Sequence, residues 1–132
     1  MRNSVLDSYA ILAFFYQERG YAVVLSLFER AAQARRALFV GAPNWAEVRY
    51  RMERKLGNAG WRRAQDMLVG FPVEVVPADR MLAEMAGAMK VSRKMSLADC
   101  FAAALAMQRK ADLYTGDPEF KAVEGEVRVM WL

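Results

Sequence analysis

Short apolar runs alternate along this chain with longer stretches whose apolar residues recur every three or four positions. Ser4-Val5-Leu6, Leu38-Phe39-Val40, Val73-Glu74-Val75-Val76, Asp112-Leu113-Tyr114-Thr115 and Val127-Arg128-Val129-Met130-Trp131 are the short runs, and they read as strands. The intervening stretches carry helical stripes. Ala10, Ile11, Phe14 and Phe15 form the first; Val23, Val24, Leu27, Phe28 and Ala31 follow the break at Gly20 and run up to Arg35-Arg36. A third helix begins at Pro43 or Asn44, with Trp45, Val48, Met52 and Leu56 inward and Glu47 placed in its first turn. Gly57-Asn58-Ala59-Gly60 reads as a turn before a helix marked by Trp61, Ala64, Met67 and Leu68. Pro77 ends a strand, and Ala78 to Val91 is helical with Leu82, Met85, Ala86 and Met89 inward. This alternation predicts an α/β fold: a central, mainly parallel sheet of four to five strands flanked by helices on both faces. With no repeat, linker or low-complexity tract, residues 1–132 form a single domain.

The last helical stretch, Ser96-Leu97-Ala98-Asp99-Cys100-Phe101-Ala102-Ala103-Ala104-Leu105-Ala106, is the one the others are arranged around. Ala98, Phe101, Ala102 and Leu105 form its core-facing stripe. Ala102, Ala103 and Ala106 leave a surface that another backbone can approach closely, one and two turns below Asp99. Ser96-x-x-Asp99 also fits a capping box, with Asp a shorter-armed substitute for the usual Glu or Gln. Capping and chemistry are both open for Asp99 on this stretch alone.

Composition narrows the chemistry. The chain has no histidine and one cysteine, Cys100. Ser-His-Asp and Cys-His catalysis, imidazole bases and His-ligated zinc are therefore excluded, as is an intrachain disulfide. Cys100 reads as a small buried hydrophobe, in keeping with a reducing, cytoplasmic setting. No apolar run approaches the ~18 residues of a membrane span, and Asp7 interrupts the N-terminus too early for a secretory signal. The net charge of +4 makes an anionic partner plausible but is too small to demand one.

Four carboxylates share a pattern. Asp7 and Asp117 follow strands, while Glu47 and Asp99 lie near the starts of helices. In a parallel α/β domain strand C-termini and helix N-termini share one edge, where open α/β folds place their sites. Each acid also has a local capping explanation: Asp7 or Ser8 at the first helix, and Asp117 ahead of Pro118. If they converge, their mutual repulsion calls for a hard cation, Mg²⁺ or Mn²⁺, and such an ion suits phosphodiester hydrolysis.

Val5-Leu6-Asp7-Ser8, Asn44-Trp45-Ala46-Glu47-Val48, Ser96-Leu97-Ala98-Asp99 and Thr115-Gly116-Asp117-Pro118-Glu119-Phe120 stand in the order and spacing of a known family. Over nearly its whole length the chain resembles PIN-domain ribonucleases, specifically VapC-type toxins of prokaryotic toxin–antitoxin pairs. The resemblance implies a PIN-like fold and a metal-dependent endoribonuclease. Asp7, Glu47, Asp99 and Asp117 match the acidic, catalytic and metal-holding positions, and Ser8 and Thr115 match hydroxyl positions beside the first and last acids. It also implies a homodimer and a small VapB-type antitoxin that covers the site. Two positions depart from the pattern: Ser8-Tyr9 stands where many relatives have Thr-Ser, and Glu119 where aspartate is frequent.

Arg93 and Lys94, just upstream of Asp99, are the residues best placed to hold RNA phosphates beside an acidic pocket. Arg49, Arg51, Arg54 and Lys55 crowd the helix of Glu47 and read at least as well as a solvated face. Tyr9, Phe14, Phe15 and Tyr16 read as core or subunit contacts. An aspartyl phosphatase lacks its second acid, since Tyr9 stands two residues after Asp7, and a receiver domain lacks its adjacent acidic pair. The competing function is a non-catalytic interaction protein on a PIN-like fold, its acids serving only as caps.

Overall fold

The computed structural model describes all residues, Met1–Leu132. Five strands, β1 (Ser4–Leu6), β2 (Leu38–Gly41), β3 (Val73–Val76), β4 (Asp112–Thr115) and β5 (Val129–Trp131), form one sheet in the order β3-β2-β1-β4-β5. Every neighbouring pair is parallel. The helices are α1 (Ser8–Tyr16), α2 (Tyr21–Ala34), α3 (Ala42–Met67), α4 (Arg80–Ser92) and α5 (Leu97–Arg109), with a 3₁₀ turn at Pro118–Val123. The expected α/β sandwich is therefore present, with all five strands.

Alternation along the buried strands feeds two cores. Val5, Phe39 and Leu113 point to one face, against α4 and α5. Leu6, Leu38, Val40 and Tyr114 point to the other, against α1, α2 and α3. Phe14 packs there on Phe15, Phe28, Tyr21 and Phe71, so Phe14 and Phe15 are core as expected. From the central β1 the chain crosses outward to β2 and β3, then returns to place β4 on β1's other side. The connections thus reverse direction between β1 and β4, and the crevice at the carboxyl ends of these two strands is the favoured binding position of such a sheet.

Helix α5 is buried well beyond one stripe. Ala102, Ala103, Ala104, Leu105 and Ala106 are all buried, and Cys100 is fully enclosed. The sheet lies on one side of it and α4 on another, while α3 reaches its N-terminal end through Asn44, whose Nδ2 donates to the Ala98 carbonyl at 3.2 Å. Only small side chains allow so many elements to close on one helix.

Four boundaries differ from expectation. α3 starts at Ala42, earlier than Pro43 or Asn44, with Pro43 in its first turn. Glu47 consequently sits in the second turn, too far along for the dipole contact that a first-turn acid makes. The Gly57–Gly60 turn is a kink within one continuous helical run: Gly57 alone leaves the helical region, at φ 70° and ψ 178°, a conformation open essentially to glycine. α4 begins at Arg80, because the Asp79 carboxylate caps it by accepting from Leu82 N at 2.9 Å. β5 starts at Val129, two residues later than the apolar alternation implied.

The packing around α5 gives a direct test. Ala103→Leu adds three carbons where nothing can yield, and should cost about 1–3 kcal/mol in chemical denaturation. A neutral result would show that the close approach to α5 is not needed.

Candidate metal centre and acidic cleft

Asp7 is the first residue after β1 and the N-cap of α1. Its Oδ1 accepts from Ala10 N at 2.9 Å, and its Oδ2 accepts from the Thr115 hydroxyl at 2.5 Å. Thr115, the last residue of β4, in turn accepts from Asp117 N at 3.0 Å. Asp117 caps the 3₁₀ turn by accepting from Glu119 N at 2.9 Å. One hydrogen-bonded chain therefore runs across the crevice from β1 to the loop after β4. On the α3 side, Ser8 Oγ donates to Glu47 Oε1 at 2.7 Å, and Arg51 lies 3.5 Å from Glu47 Oε2.

The start of α5 resolves the capping question. Ser96 is the N-cap and its Oγ accepts from Asp99 N at 3.2 Å, which is the first half of a capping box. The second half comes from elsewhere. Ser96 N donates to Glu119 Oε2 at 3.2 Å, so Glu119 fills the role that the residue at Asp99's position normally plays. The Asp99 carboxylate has no capping duty and is buried, 5% exposed, facing the other acids.

Asp7, Glu47, Asp99 and Asp117 all line one open cleft at the carboxyl edge of the sheet, where Ser8 and Glu119 join them. The tightest group is Asp99, Asp117 and Glu119, whose carboxylate oxygens lie within 4.8 Å of one another. Asp7 and Glu47 form the adjoining wall. Glu119, expected only beside the acids, is thus among the three closest, and its signal in the sequence was its spacing from Asp117.

Burial and crowding keep protons in this cleft. Burial raises Asp7 from its usual 3.8 to about 7, with Asp117 and Glu47 adding repulsion and the bonds from Thr115 and Ala10 opposing it. Asp99 is also pushed up, first by burial, then by its hydrogen bond with Glu119 and the charges of Asp117 and Asp7. Glu119 moves the other way because Asp99 donates to it and Ser96 N–H supports its charge. No ion pair reaches Asp7, Asp99, Asp117 or Glu119. The buried acid at the opposite edge, Asp112, is by contrast held by Arg2 at 2.7 Å and Arg128 at 3.9 Å.

This donor set fits a hard divalent cation. All its donor atoms are carboxylate oxygens, the ligands such an ion prefers, and Asp99, Asp117 and Glu119 already gather theirs in one place. The cleft's one basic lining residue is Arg51. Arg93 instead pairs with Glu126 and faces a groove beside Met85 and Met107, and Lys94 is exposed with no ion-pair partner. Tyr9, expected in a core or subunit contact, is 37% exposed on the rim of the cleft.

Two measurements check the crowding. Asp7 binds its proton more tightly when folded (about 7) than when unfolded (near 3.8). The metal-free protein should therefore be most stable below pH 4 as far as this group is concerned. It should lose on the order of a few kcal/mol as pH rises through 7. Asp99→Asn keeps a donor toward Glu119 and removes an acid that loses its proton freely in the unfolded chain but only at a cost in the fold. In EDTA it should melt higher than the parent, by on the order of 1 kcal/mol, and lose most of the stabilisation that Mn²⁺ gives the parent. Lower melting in EDTA with an undiminished Mn²⁺ response would remove Asp99 from the cation site.

Comparison with known proteins agrees with this architecture. The family model of the PIN domain matches residues 4–126. No curated protein sequence matches the chain. Among solved structures, VapBC from Salmonella typhimurium bound to DNA superposes with a TM-score of 0.76 at 17% identity, covering 98% of both chains. VapBC2 from Rickettsia felis, bound to a promoter DNA fragment, gives 0.76 at 14% identity over 96% of both. Mycobacterium tuberculosis VapC20, a sarcin–ricin loop cleaving toxin, gives 0.73 at 18% identity over 96% of this chain and 98% of that one. The chain has the fold of VapC-type toxins and belongs to the PIN domain family.

Proposed function

We propose that this chain is a divalent-cation-dependent endoribonuclease of the VapC toxin type. The observation that carries the reading is the convergence, at the β1–β4 crevice of a PIN fold, of five carboxylates of which only Glu47 has an ion-pair partner. Structural relatives described as VapBC complexes, and one described as a cleaving toxin, support it. They also support a small VapB-type antitoxin as partner. Homodimer formation and action in the cytoplasm complete the proposal, and no helix is long and apolar enough to cross a membrane.

Asp99, Asp117 and Glu119 would hold Mg²⁺ or Mn²⁺, with the Asp7 charge behind them. When bound, the ion supplies charge to the scissile phosphate and lowers the pKa of a water molecule. The remaining work falls to the chain itself. In hydrolysis a water oxygen joins phosphorus while one ester P–O bond breaks; the departing ribose oxygen keeps the bonding pair and takes a proton from solvent, and the attacking water's proton must go to a base. Glu47 is assigned that role, because it stands outside the tight trio and Ser8 and Arg51 fix its direction. Asp7 and Thr115 hold Asp117 in place through their hydrogen-bonded chain.

Purified protein should cleave single-stranded RNA with Mg²⁺ or Mn²⁺ and not with EDTA. Glu47→Gln should lower kcat roughly 10²–10⁴-fold, the usual worth of a general base, while leaving Mn²⁺-induced stabilisation largely in place. Asp99→Asn should lose both. Absence of cleavage in every metal would favour the non-catalytic interaction protein.

A further inference from the structure

Two residues of the acidic cleft also belong to the groove beside it. Tyr9 and Arg51 line both, and the groove continues between α1 and α3 past Tyr16 to Tyr50, Arg54 and Lys55. Its charge changes sign along the way. Arg19, Arg51, Arg54 and Lys55 line it against the single acid Glu18. Three tyrosines are spaced along it, and two are already covered by cations: Lys55 Nζ stands 4.1 Å from the Tyr16 ring and the Arg54 guanidinium 4.8 Å from Tyr50. Tyr9 is different, because no cation covers its ring.

Tyr9 is also seated rather than loose. Its ring lies against the backbone of Gly116, between the site residues Thr115 and Asp117, and a Cβ at Gly116 would come 2.5 Å from Tyr9 Cζ. A glycine at 116 therefore makes room for a flat aromatic surface at the mouth of the acidic cleft. Tyr9 lies in α1, two residues beyond the capping Asp7, so its direction is set by the same helix that carries the first acid.

Resting on the nuclease reading, we infer that Tyr9 and Arg51 form the entry of a single-stranded RNA track along α1 and α3. A base stacks on Tyr9, and the flanking phosphates run past Arg51 to Arg54 and Lys55. Interleaved cations and aromatic faces are the chemistry of single-strand recognition, in which phosphates meet charge and unpaired bases meet rings. A duplex hides its base faces and cannot use Tyr9. Arg51, bonded to Glu47 at 3.5 Å, couples the track to the proposed base. Tyr9 is on this reading a positioning residue, which sets where along the strand the scissile phosphate falls.

The test uses a labelled oligoribonucleotide of about a dozen nucleotides, the scale of a single-strand site, the same strand annealed into a duplex, and the full chain. Affinity is measured in EDTA and cleavage positions with Mg²⁺. Tyr9→Ala should weaken single-strand binding roughly 5- to 150-fold, the range for losing one base–aromatic stack, and shift or blur the cleavage positions. Tyr9→Trp should restore both, and duplex affinity should not respond to either change. Arg54→Ala with Lys55→Ala should flatten the log–log salt dependence by about 1.4, from about 0.7 per single-strand phosphate contact. Unchanged single-strand affinity and cleavage positions in Tyr9→Ala would overturn the inference, as expected if the groove serves only a protein partner. Equal losses for single strand and duplex would also overturn it. If the parent cleaves while Tyr9→Ala is silent, the track falls and the nuclease stands. If binding follows the expected pattern but no metal supports cleavage, the track stands and the nuclease falls.

Discussion

Everything at the carboxyl edge of this sheet depends on one unfavourable contact: carboxylates crowded together, Asp7 and Asp99 among them buried without an ion-pair partner. The same protein shows how it treats a buried acid whose task is structural. Asp112, 6% exposed at the other edge, is flanked by two arginines. Asp7, at 1%, and Asp99, at 5%, have none, and the protons they retain are the cost of that arrangement. Burial in low dielectric and like-charge neighbours act in the same direction, each favouring the neutral form. A divalent ion would remove both penalties at once, which ties the proposed function to the same energetics that strain the fold.

The fold builds this contact with few means. Reversal of the connections at β1 brings the ends of β1 and β4 side by side, so Asp7 and Thr115 meet across 108 residues of sequence. Helix α5 reaches the crevice because its buried face is mostly alanine. Asn44, fully buried with its Oδ1 unpartnered, ties the start of α3 to that helix. Local capping and long-range convergence are not alternatives here. Asp7 and Asp117 cap their helical turns with one oxygen while also lining the cleft. Only Asp99 is relieved of capping, because Glu119 reaches back to Ser96.

The fold was legible because β1, β2 and β4 are short, wholly buried apolar runs and the helices between them carry apolar residues at three- and four-residue spacing. The four acids were legible because strand ends and helix starts must share an edge in a parallel sheet. What escaped was long-range in origin. That Glu119 replaces Asp99 in the capping box depends on a contact across 23 residues, and no local spacing encodes it. Arg93 stands close to Asp99 in sequence, yet the turn before α5 directs it to Glu126, whereas Arg51 reaches the cleft one helical turn after Glu47. Glu47's position shifted because Ala42 joined the helix ahead of Pro43. The role of Gly116 as a seat for Tyr9 requires two segments more than a hundred residues apart to be seen together.

The central claim, that the crowded acids form a cation site, is tested most directly by calorimetric titration of the unmodified protein with Mn²⁺. The titration is run near pH 6 in buffers of different ionisation enthalpy. Asp7 and Asp99 hold protons there that a bound cation must displace, so binding should release protons, and the apparent affinity should rise with pH. Saturable binding with net proton release is the expected result. Absence of binding, or binding with no proton exchange, would mean that the acids do not act together on an ion.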